Sequence, residues 1–315
     1  MLARVANNLF WMGRYIERAE HVARYLNVNY FSSLDAPNEL SQSRQFVLRS
    51  MMFFVGEPIA DDSVILKEED ILYNIGLNPD LHYSVINNVK SARENANSAR
   101  DLISTELYEA INKFYHFVIN YSVEDFTKKG LYDFTVNVTE MTAILRGKIR
   151  GTLLHDEVYA IIMLGINLER ATQVIRIINA KYNDAVRAKG SYGDKIGHSF
   201  EWITLLKCVE SYDMMRRYYK KTPTSISTLE FLILNPDCPR SVINSINQVH
   251  KHIRVLDESK TPNKNSTAFL ISKVKGEYEF KYAEEIEEDI QAFIEKILDN
   301  LVHISLKMEN EFFNY

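Results

Sequence analysis

The sequence of 315 residues contains few residues that cross-link or interrupt a chain. Its two cysteines, Cys208 and Cys238, show no CxxC spacing, which excludes a disulfide framework and favours a reducing compartment, the cytoplasm. Only 11 glycines and 7 prolines occur, so long helices fit between the turns that these residues mark. Asn-Gly and Asp-Gly hairpin turns are absent, and no stretch alternates steadily between apolar and polar residues. An extensive β-sheet is therefore not expected.

The chain also lacks a strong charge of either sign. Its 37 basic and 42 acidic residues give a net charge of -5, which provides no electrostatic footprint for nucleic acid or an anionic membrane. No apolar run approaches the ~20 residues of a membrane-spanning helix. Arg4, Arg14 and Glu17 interrupt the N-terminal segment where a signal peptide requires apolar residues. We therefore expect neither a nucleic-acid nor a membrane partner.

Common catalytic motifs are missing as well. The sequence has no GxxxxGK[ST], GxGxxG, GxSxG or HExxH segment, so it shows no signature of the usual nucleotide-binding, hydrolase or zinc sites. Ferritin-like di-iron proteins have a Glu-x-x-His pattern. None of the eight histidines here has a glutamate three residues before it. The catalytic residues remain unknown from the sequence, and we expect no metal and no cofactor.

Helical periodicity is what the sequence does contain. Apolar residues follow steps of three and four along two segments, Leu9, Met12, Ile16, Ala19, Ala23 and Leu26 in the first and Ile161, Leu164, Leu168, Ala171, Ile175 and Ile178 in the second. Each segment thus has one apolar stripe of an amphipathic helix. A further stretch, SARENANSARDLISTELYEAINKFYHF, is interpreted as one long amphipathic helix. The sequence predicts an all-α fold, a large helical bundle.

Two pairs of similar segments indicate an internal duplication. GRYIERAEHVAR (13–24) and GINLERATQVIR (165–176) share six of twelve residues at an offset of 152. LNPDLHYSVIN (77–87) and LNPDCPRSVIN (234–244) share eight of eleven at an offset of 157, and their Asn-Pro-Asp is predicted to begin a helix. We predict one all-α domain, 1–315, whose repeat halves, about 1–150 and 151–315, are related by a pseudo-twofold axis.

The repeated Glu-Arg dipeptides, Glu17-Arg18 and Glu169-Arg170, lie opposite the apolar stripes. Apolar residues surround the second pair, which predicts burial, and buried charges need partners. Because neighbours in sequence do not face each other on a helix, each partner must come from another element. Packing about the twofold axis pairs Glu17 with Arg170 and Glu169 with Arg18.

A functional alternative remains open beside this structural one. The same four side chains, with Arg14 and His21 nearby, would line a polar cleft for an anionic or carboxylate-bearing ligand. Arg93 and Arg100, on the helix after the first Asn-Pro-Asp, either join that cleft or form a solvated face. The remaining motif residues, Gly13 and Gly165, are predicted to allow close helix approach.

Four segments together resemble the alpha-E family of bacterial all-helical domains, which is named for a Glu-Arg motif. They are MLARVANNLFWMGRYIERAEHVARYL, SARENANSARDLISTELYEAIN, LGINLERA and LNPDCPRSVINSI. The resemblance covers essentially the whole chain and maps the family's motif onto Glu17-Arg18 and Glu169-Arg170. It departs at Tyr108, where the family usually shows tryptophan.

This resemblance implies partners, because family members are fused to, or encoded beside, ATP-grasp-type ligases and transglutaminase-like proteins. It suggests a bacterial, cytoplasmic accessory protein that docks with a peptide or amide ligase and holds a peptide ligand. The alternative is an enzyme of peptide or amide metabolism. Glu17 or Glu169 would then act as acid or base, and Arg18 or Arg170 would hold a substrate carboxylate or phosphate.

Overall fold

The computed structural model describes residues 2–36, 39–188, 196–257 and 263–313, and no strand occurs in these ranges. The α-helices are α1 (Ala3–Ser32), α2 (Glu39–Gln42), α3 (Arg44–Val55), α4 (Glu68–Gly76), α5 (Val85–Ser98), α6 (Thr105–Ile119), α7 (Val123–Asp125), α8 (Leu131–Thr152), α9 (Glu157–Arg187), α10 (Ile196–Cys208), α11 (Tyr212–Tyr219), α12 (Ser225–Leu229), α13 (Val242–Leu256), α14 (Thr267–Glu279), α15 (Ala283–Glu288) and α16 (Ile290–Met308). Short 3₁₀ and π turns extend several of them. The all-α prediction is confirmed.

Helices α1 and α9 form the centre of the bundle. They are 30 and 31 residues long; α1 packs against α9, α5 and α8, and α13 packs along α9. As predicted, α9 is buried on nearly all sides. The polar and aromatic face of α1 is buried too, since Phe10, His21 and Tyr25 are all inaccessible to solvent. The charges on both helices therefore lie inside the protein.

One glycine from each helix allows α1 and α9 to cross closely. A Cβ atom on Gly13 would lie 2.5 Å from the carbonyl oxygen of Ile162, and one on Gly165 would lie 2.1 Å from that of Phe10. Both oxygens belong to backbone, so no side-chain movement makes room. The predicted role of these glycines is confirmed. Phe10 and Ile162 are themselves 152 positions apart, so the two helices contact each other reciprocally.

The two Asn-Pro-Asp segments form turns, and the helices begin after them. Asn78 Oδ1 accepts a hydrogen bond from the backbone N–H two residues later at 3.1 Å, and Asn235 Oδ1 does the same at 2.9 Å. Helices α5 and α13 are instead capped by Ser84 and Ser241, each of which accepts from the N–H three residues later at 3.1 Å. The predicted helix start is wrong, because each asparagine closes a local Asx-turn and the serine supplies the cap.

The long helix expected after the first Asn-Pro-Asp is two helices, which corrects the prediction. Helix α5 ends at Ser98, a 3₁₀ turn covers Arg100–Leu102, and α6 begins at Thr105. Ser104 causes the new start, because its Oγ accepts a hydrogen bond from the N–H of Leu107 at 3.1 Å. A serine cap inside an amphipathic pattern divides the pattern into a helical hairpin.

One contiguous hydrophobic cluster includes residues from α1, α5, α6, α8, α9, α13 and α16. Helix α9 runs through this cluster, and it is long and apolar enough to cross a membrane by composition. The expectation that no run approaches that length is therefore wrong for α9. Within the apolar window of α9, 89% of the residues are buried inside the protein, as is typical of a central bundle helix.

Candidate functional site

The Glu-Arg dipeptides of α1 and α9 pair with each other across the helix contact. Arg170 donates from Nε to Glu17 Oε1 at 2.6 Å and from Nη2 to Oε2 at 3.0 Å. Arg18 donates in the same way to Glu169, at 2.6 and 3.0 Å. Both carboxylates are fully buried. The predicted reciprocal bidentate pairs are confirmed by these distances, and we call the four side chains the Glu-Arg seam.

Two further side chains, Arg14 and Gln173, donate to the carboxylate of Glu169. Arg14 Nε donates to Oε2 at 2.8 Å, and Gln173 Nε2 donates to Oε1 at 2.7 Å. Arg14 also donates from Nη1 to Ser305 Oγ of α16 at 2.8 Å. Burial alone would raise the pKa of Glu169, but the Arg18 and Arg14 charges, with the hydrogen bonds from Arg18 and Gln173, together hold this pKa well below its usual value. Glu169 is therefore an ionised acceptor with its oxygens occupied.

The carboxylate of Glu17 lies beside the buried ring of His21. His21 Nδ1–H donates to the backbone carbonyl of Glu17 at 2.9 Å and lies 3.7 Å from Glu17 Oε1. Burial lowers the pKa of His21 to about 4, and the Arg240 and Arg24 charges act in the same direction, so the ring is neutral at neutral pH. Burial raises the pKa of Glu17, but the Arg170 charge, the hydrogen bonds from Arg170 and the Arg240 charge together hold the pKa well below its ordinary value.

Glu20, one turn further along α1, is the centre of a second ion-pair cluster. It is fully buried, and it accepts from Arg24 Nη2 at 2.6 Å and from Arg240 Nη2 at 2.9 Å. Arg146 of α8 forms a third ion pair with Glu20. Glu210, after α10, contacts Arg24 Nη2 at 3.1 Å and pairs with Arg240. The two clusters are connected, because Arg240 Nη1 lies 3.5 Å from Glu17 Oε1.

A family model described as Alpha-E, a predicted alpha-helical domain with a conserved ER motif, matches residues 1–313. The chain belongs to the Alpha-E family. Its two Glu-Arg dipeptides are those at 17–18 and 169–170, and in this Alpha-E protein both make the reciprocal seam contacts. Searches of curated proteins and of solved structures gave no match.

The Alpha-E seam is suited to holding helices together and poorly suited to proton transfer. A general acid or base requires a pKa near the working pH, whereas the pKa values of Glu17 and Glu169 are held well below their usual range. Each carboxylate also accepts two hydrogen bonds from a single guanidinium. Among the described residues, no group of three or more His, Cys, Asp or Glu side chains is arranged to hold a metal ion.

Arg93 and Arg100 do not join this site, although the sequence allowed them to. Arg93 Nε donates to Asn112 at 2.9 Å, and its guanidinium lies 4.5 Å from the ring centre of Tyr115. Arg100 lies 4.5 Å from the ring centre of Tyr108. Asn112, Tyr115 and Tyr108 all belong to α6, because the serine cap folds α6 back along α5. These arginines hold the α5–α6 hairpin and contribute nothing to the seam.

Several residues of the second cluster carried only weak sequence signals. Glu20 follows the first glutamate of the motif by three positions, and Arg24 follows Glu20 by four, so helical spacing places all three on one side. Arg240 occupies the position that Tyr83 has in the first LNPD segment. This mismatch between the two LNPD segments is the sequence feature that could have pointed to Arg240. Arg146 has no local signal, since only tertiary packing brings α8 to the site.

Proposed function

We propose that this Alpha-E protein is a non-catalytic accessory protein of an ATP-grasp-type peptide or amide ligase system. It docks with the ligase and holds the peptide substrate. The observation that supports this proposal best is the closure of the seam: Glu17 and Glu169 each accept two hydrogen bonds from one guanidinium at 2.6 and 3.0 Å. Carboxylates held in this way stabilise packing and are not free to transfer protons.

The ligase partner is what the resemblance to the alpha-E family implies, with a transglutaminase-like protein as the second partner. The physical contribution of this chain to such a system is binding. Three arginines, Arg24, Arg146 and Arg240, converge on Glu20, and a guanidinium recognises a carboxylate with two parallel hydrogen bonds. An acidic peptide matches that chemistry.

The alternative, an enzyme of peptide or amide metabolism, requires Glu17 or Glu169 to exchange a proton with substrate. Both carboxylates are fully buried, and opening either one leaves an arginine without its partner, which is costly in the protein interior. The geometry therefore favours the accessory role over the enzymatic one.

A reconstituted reaction tests the proposal directly. An ATP-grasp-type peptide ligase from the same organism is incubated with an acidic peptide and Mg-ATP, with and without the Alpha-E protein, and ADP and product peptide are quantified. We expect the Alpha-E protein alone to release no ADP and to leave the peptide mass unchanged, while its addition raises the rate of the ligase. Conversion of peptide by the Alpha-E protein alone, or a ligase indifferent to it, would refute the accessory role.

Glu17→Gln separates the two roles further. An acid or base lost from a catalytic centre lowers the rate by ~10²–10⁴-fold, whereas an accessory protein still stimulates the ligase as long as it stays folded. Circular dichroism at the assay temperature monitors the fold. Arg93→Gln, on the α5–α6 hairpin outside the seam, is the matched control and should stimulate like the wild type.

A further inference from the structure

An open cleft lies beside the Glu20 cluster, and four arginines line it. It has a volume of about 490 Å³, and its charged lining residues are Arg146 and Arg150 of α8, Arg170 of α9, Arg240 before α13, and Glu210. A volume of this size is within the ~300–1,000 Å³ of small-molecule sites. We call this space the arginine cleft.

Positive charge exceeds negative charge in and directly behind the arginine cleft. Its four arginines and the adjoining Arg24 make five guanidinium groups, and the carboxylates that they contact are Glu17, Glu20 and Glu210. His21 adds no charge at neutral pH, because its pKa is lowered to about 4. Two of the five guanidinium charges are therefore not balanced by a carboxylate within this network of contacts.

The arginines also crowd one another. Burial lowers the pKa of Arg24 to about 10, and the neighbouring Arg240 charge acts in the same direction. Burial likewise lowers the pKa of Arg146 to about 10, again with a contribution from Arg240. Arg24 and Arg146 both remain cationic at neutral pH, so an anion entering the cleft relieves repulsion that the protein's own carboxylates leave uncompensated.

One side of the cleft is kept open by a glycine inside a helix. Gly147 lies on α8 between Arg146 and Arg150 in the cleft wall, and a Cβ atom there would meet no heavy atom within 4 Å. Glycine is a poor helix former, and packing does not require it at this position. Its effect is to leave space between two arginines that share a helix face.

We propose that the arginine cleft binds a doubly negative oxyanion, either a phosphate group or two carboxylates carried by one small molecule. Arg150 is exposed, and Arg170 uses only Nε and Nη2 on Glu17, which leaves donors for the ligand. Glu210, held at a positive φ of 56°, already bridges Arg24 and Arg240 as an internal carboxylate. An external oxyanion would accept hydrogen bonds from the arginines in the same way as the Glu210 carboxylate does. The cleft shares Arg146 and Arg240 with the arginines that match an acidic peptide above. Binding of a small oxyanion needs no ligase partner, so it is tested without the ligase reaction.

Calorimetric titration of the full chain at neutral pH and constant ionic strength tests the site, with inorganic phosphate, glutarate and chloride as probes. We expect saturable binding of phosphate, glutarate or both, and none of chloride. Tighter binding of phosphate identifies a phosphate ligand, and tighter binding of glutarate identifies paired carboxylates. Weak binding that is equal for all three ions is ionic screening and would overturn the proposal, as would no binding of either oxyanion.

Matched variants locate the binding. Arg150→Gln removes an exposed charge-assisted donor and should weaken binding by roughly tenfold or more. Gly147→Ala should weaken it as well, whereas Gly151→Ala, also in α8 with open space around its Cβ position but outside the cleft lining, should bind like the wild type. Glu210→Gln removes a competing negative charge and should tighten binding. Wild-type affinity in both Arg150→Gln and Gly147→Ala would place the ion elsewhere and refute the site.

Discussion

Arg170→Ala should lower the free energy of unfolding by about 3 kcal/mol at neutral pH, at the low end of what breaking one buried ion pair costs. Arg170 supplies both hydrogen bonds to Glu17, at 2.6 and 3.0 Å, and both side chains are buried. After its loss, Glu17 keeps only longer side-chain contacts, to the neutral His21 at 3.7 Å and to the charged Arg240 at 3.5 Å and Arg146 at 3.9 Å. These two charges soften the loss without replacing the hydrogen bonds.

The loss should depend on pH in a defined direction. The pKa of Glu17 in the folded protein lies well below its ordinary value of 4.5. The resulting stabilisation is fully present above about pH 4.5 and disappears as the pH falls toward the folded pKa. Without Arg170 the folded pKa rises toward the ordinary value, so the variant has less of this stabilisation to lose. The difference between wild type and Arg170→Ala should therefore shrink below about pH 4.5.

Urea unfolding followed by circular dichroism, at neutral pH and in mild acid, measures both effects. Arg18→Ala is the matched control, because Glu169 keeps direct hydrogen bonds from Arg14 at 2.8 Å and from Gln173 at 2.7 Å. Its cost should be only about 1–2 kcal/mol. Three results would refute the reasoning. The unfolding free energy of Arg170→Ala could lie within about 0.5 kcal/mol of the wild type, Arg18→Ala could cost more than Arg170→Ala, or the difference between Arg170→Ala and wild type could be independent of pH.

Three further predictions concern the same helices. Gly165→Ala should destabilise the protein by at least about 1–3 kcal/mol, because the added Cβ would lie 2.1 Å from the Phe10 carbonyl oxygen. The control Gly151→Ala should be neutral or stabilising by up to about 1 kcal/mol. Equal melting temperatures of the two variants would contradict this prediction. Ser241→Ala removes the α13 cap and should cost about 1 kcal/mol in urea unfolding, so an unchanged midpoint would contradict the cap. His21 has a pKa of about 4 against an ordinary 6.5, so the unfolded chain binds the extra proton and stability is lost as the pH falls through this window. His21→Gln should remove that part of the loss, and identical pH profiles would show that His21 does not contribute.

The central helix pair was predictable from the sequence for a physical reason. A Glu-Arg dipeptide surrounded by apolar residues must be paired once it is buried, and neighbours on a helix cannot pair with each other. A second copy of the dipeptide at the same helical phase supplies the partner. Gly13 and Gly165 were predictable because a glycine beside an apolar stripe permits close backbone approach.

Helix boundaries were less predictable, because capping competes with periodicity over a few residues. Ser104 lies within a continuous amphipathic pattern, and only its hydrogen bond to the N–H of Leu107 shows that a new helix begins there. Asn78 and Ser84 are both acceptable caps by residue type. The structure assigns the turn to the asparagine and the cap to the serine. Arg146 and Glu210 were not predictable at all, since they reach the site through packing of distant segments.

Differences between the two Glu-Arg helices distinguish the two sides of the seam. At the offset of 152, Glu20 of α1 corresponds to Thr172 of α9, and the buried Arg24 corresponds to the exposed Arg176. The shared dipeptides thus perform the shared task of joining the helices. The extra cluster of Glu20, Arg24, Arg146 and Arg240 lies on the Glu17 side, whereas the Glu169 side gains the charge of Arg14. The arginine cleft opens on the Glu17 side. Changes at Arg18, on the Glu169 side, should therefore reduce stability and leave oxyanion affinity unchanged. Changes at Arg150 should weaken oxyanion binding and leave stability unchanged.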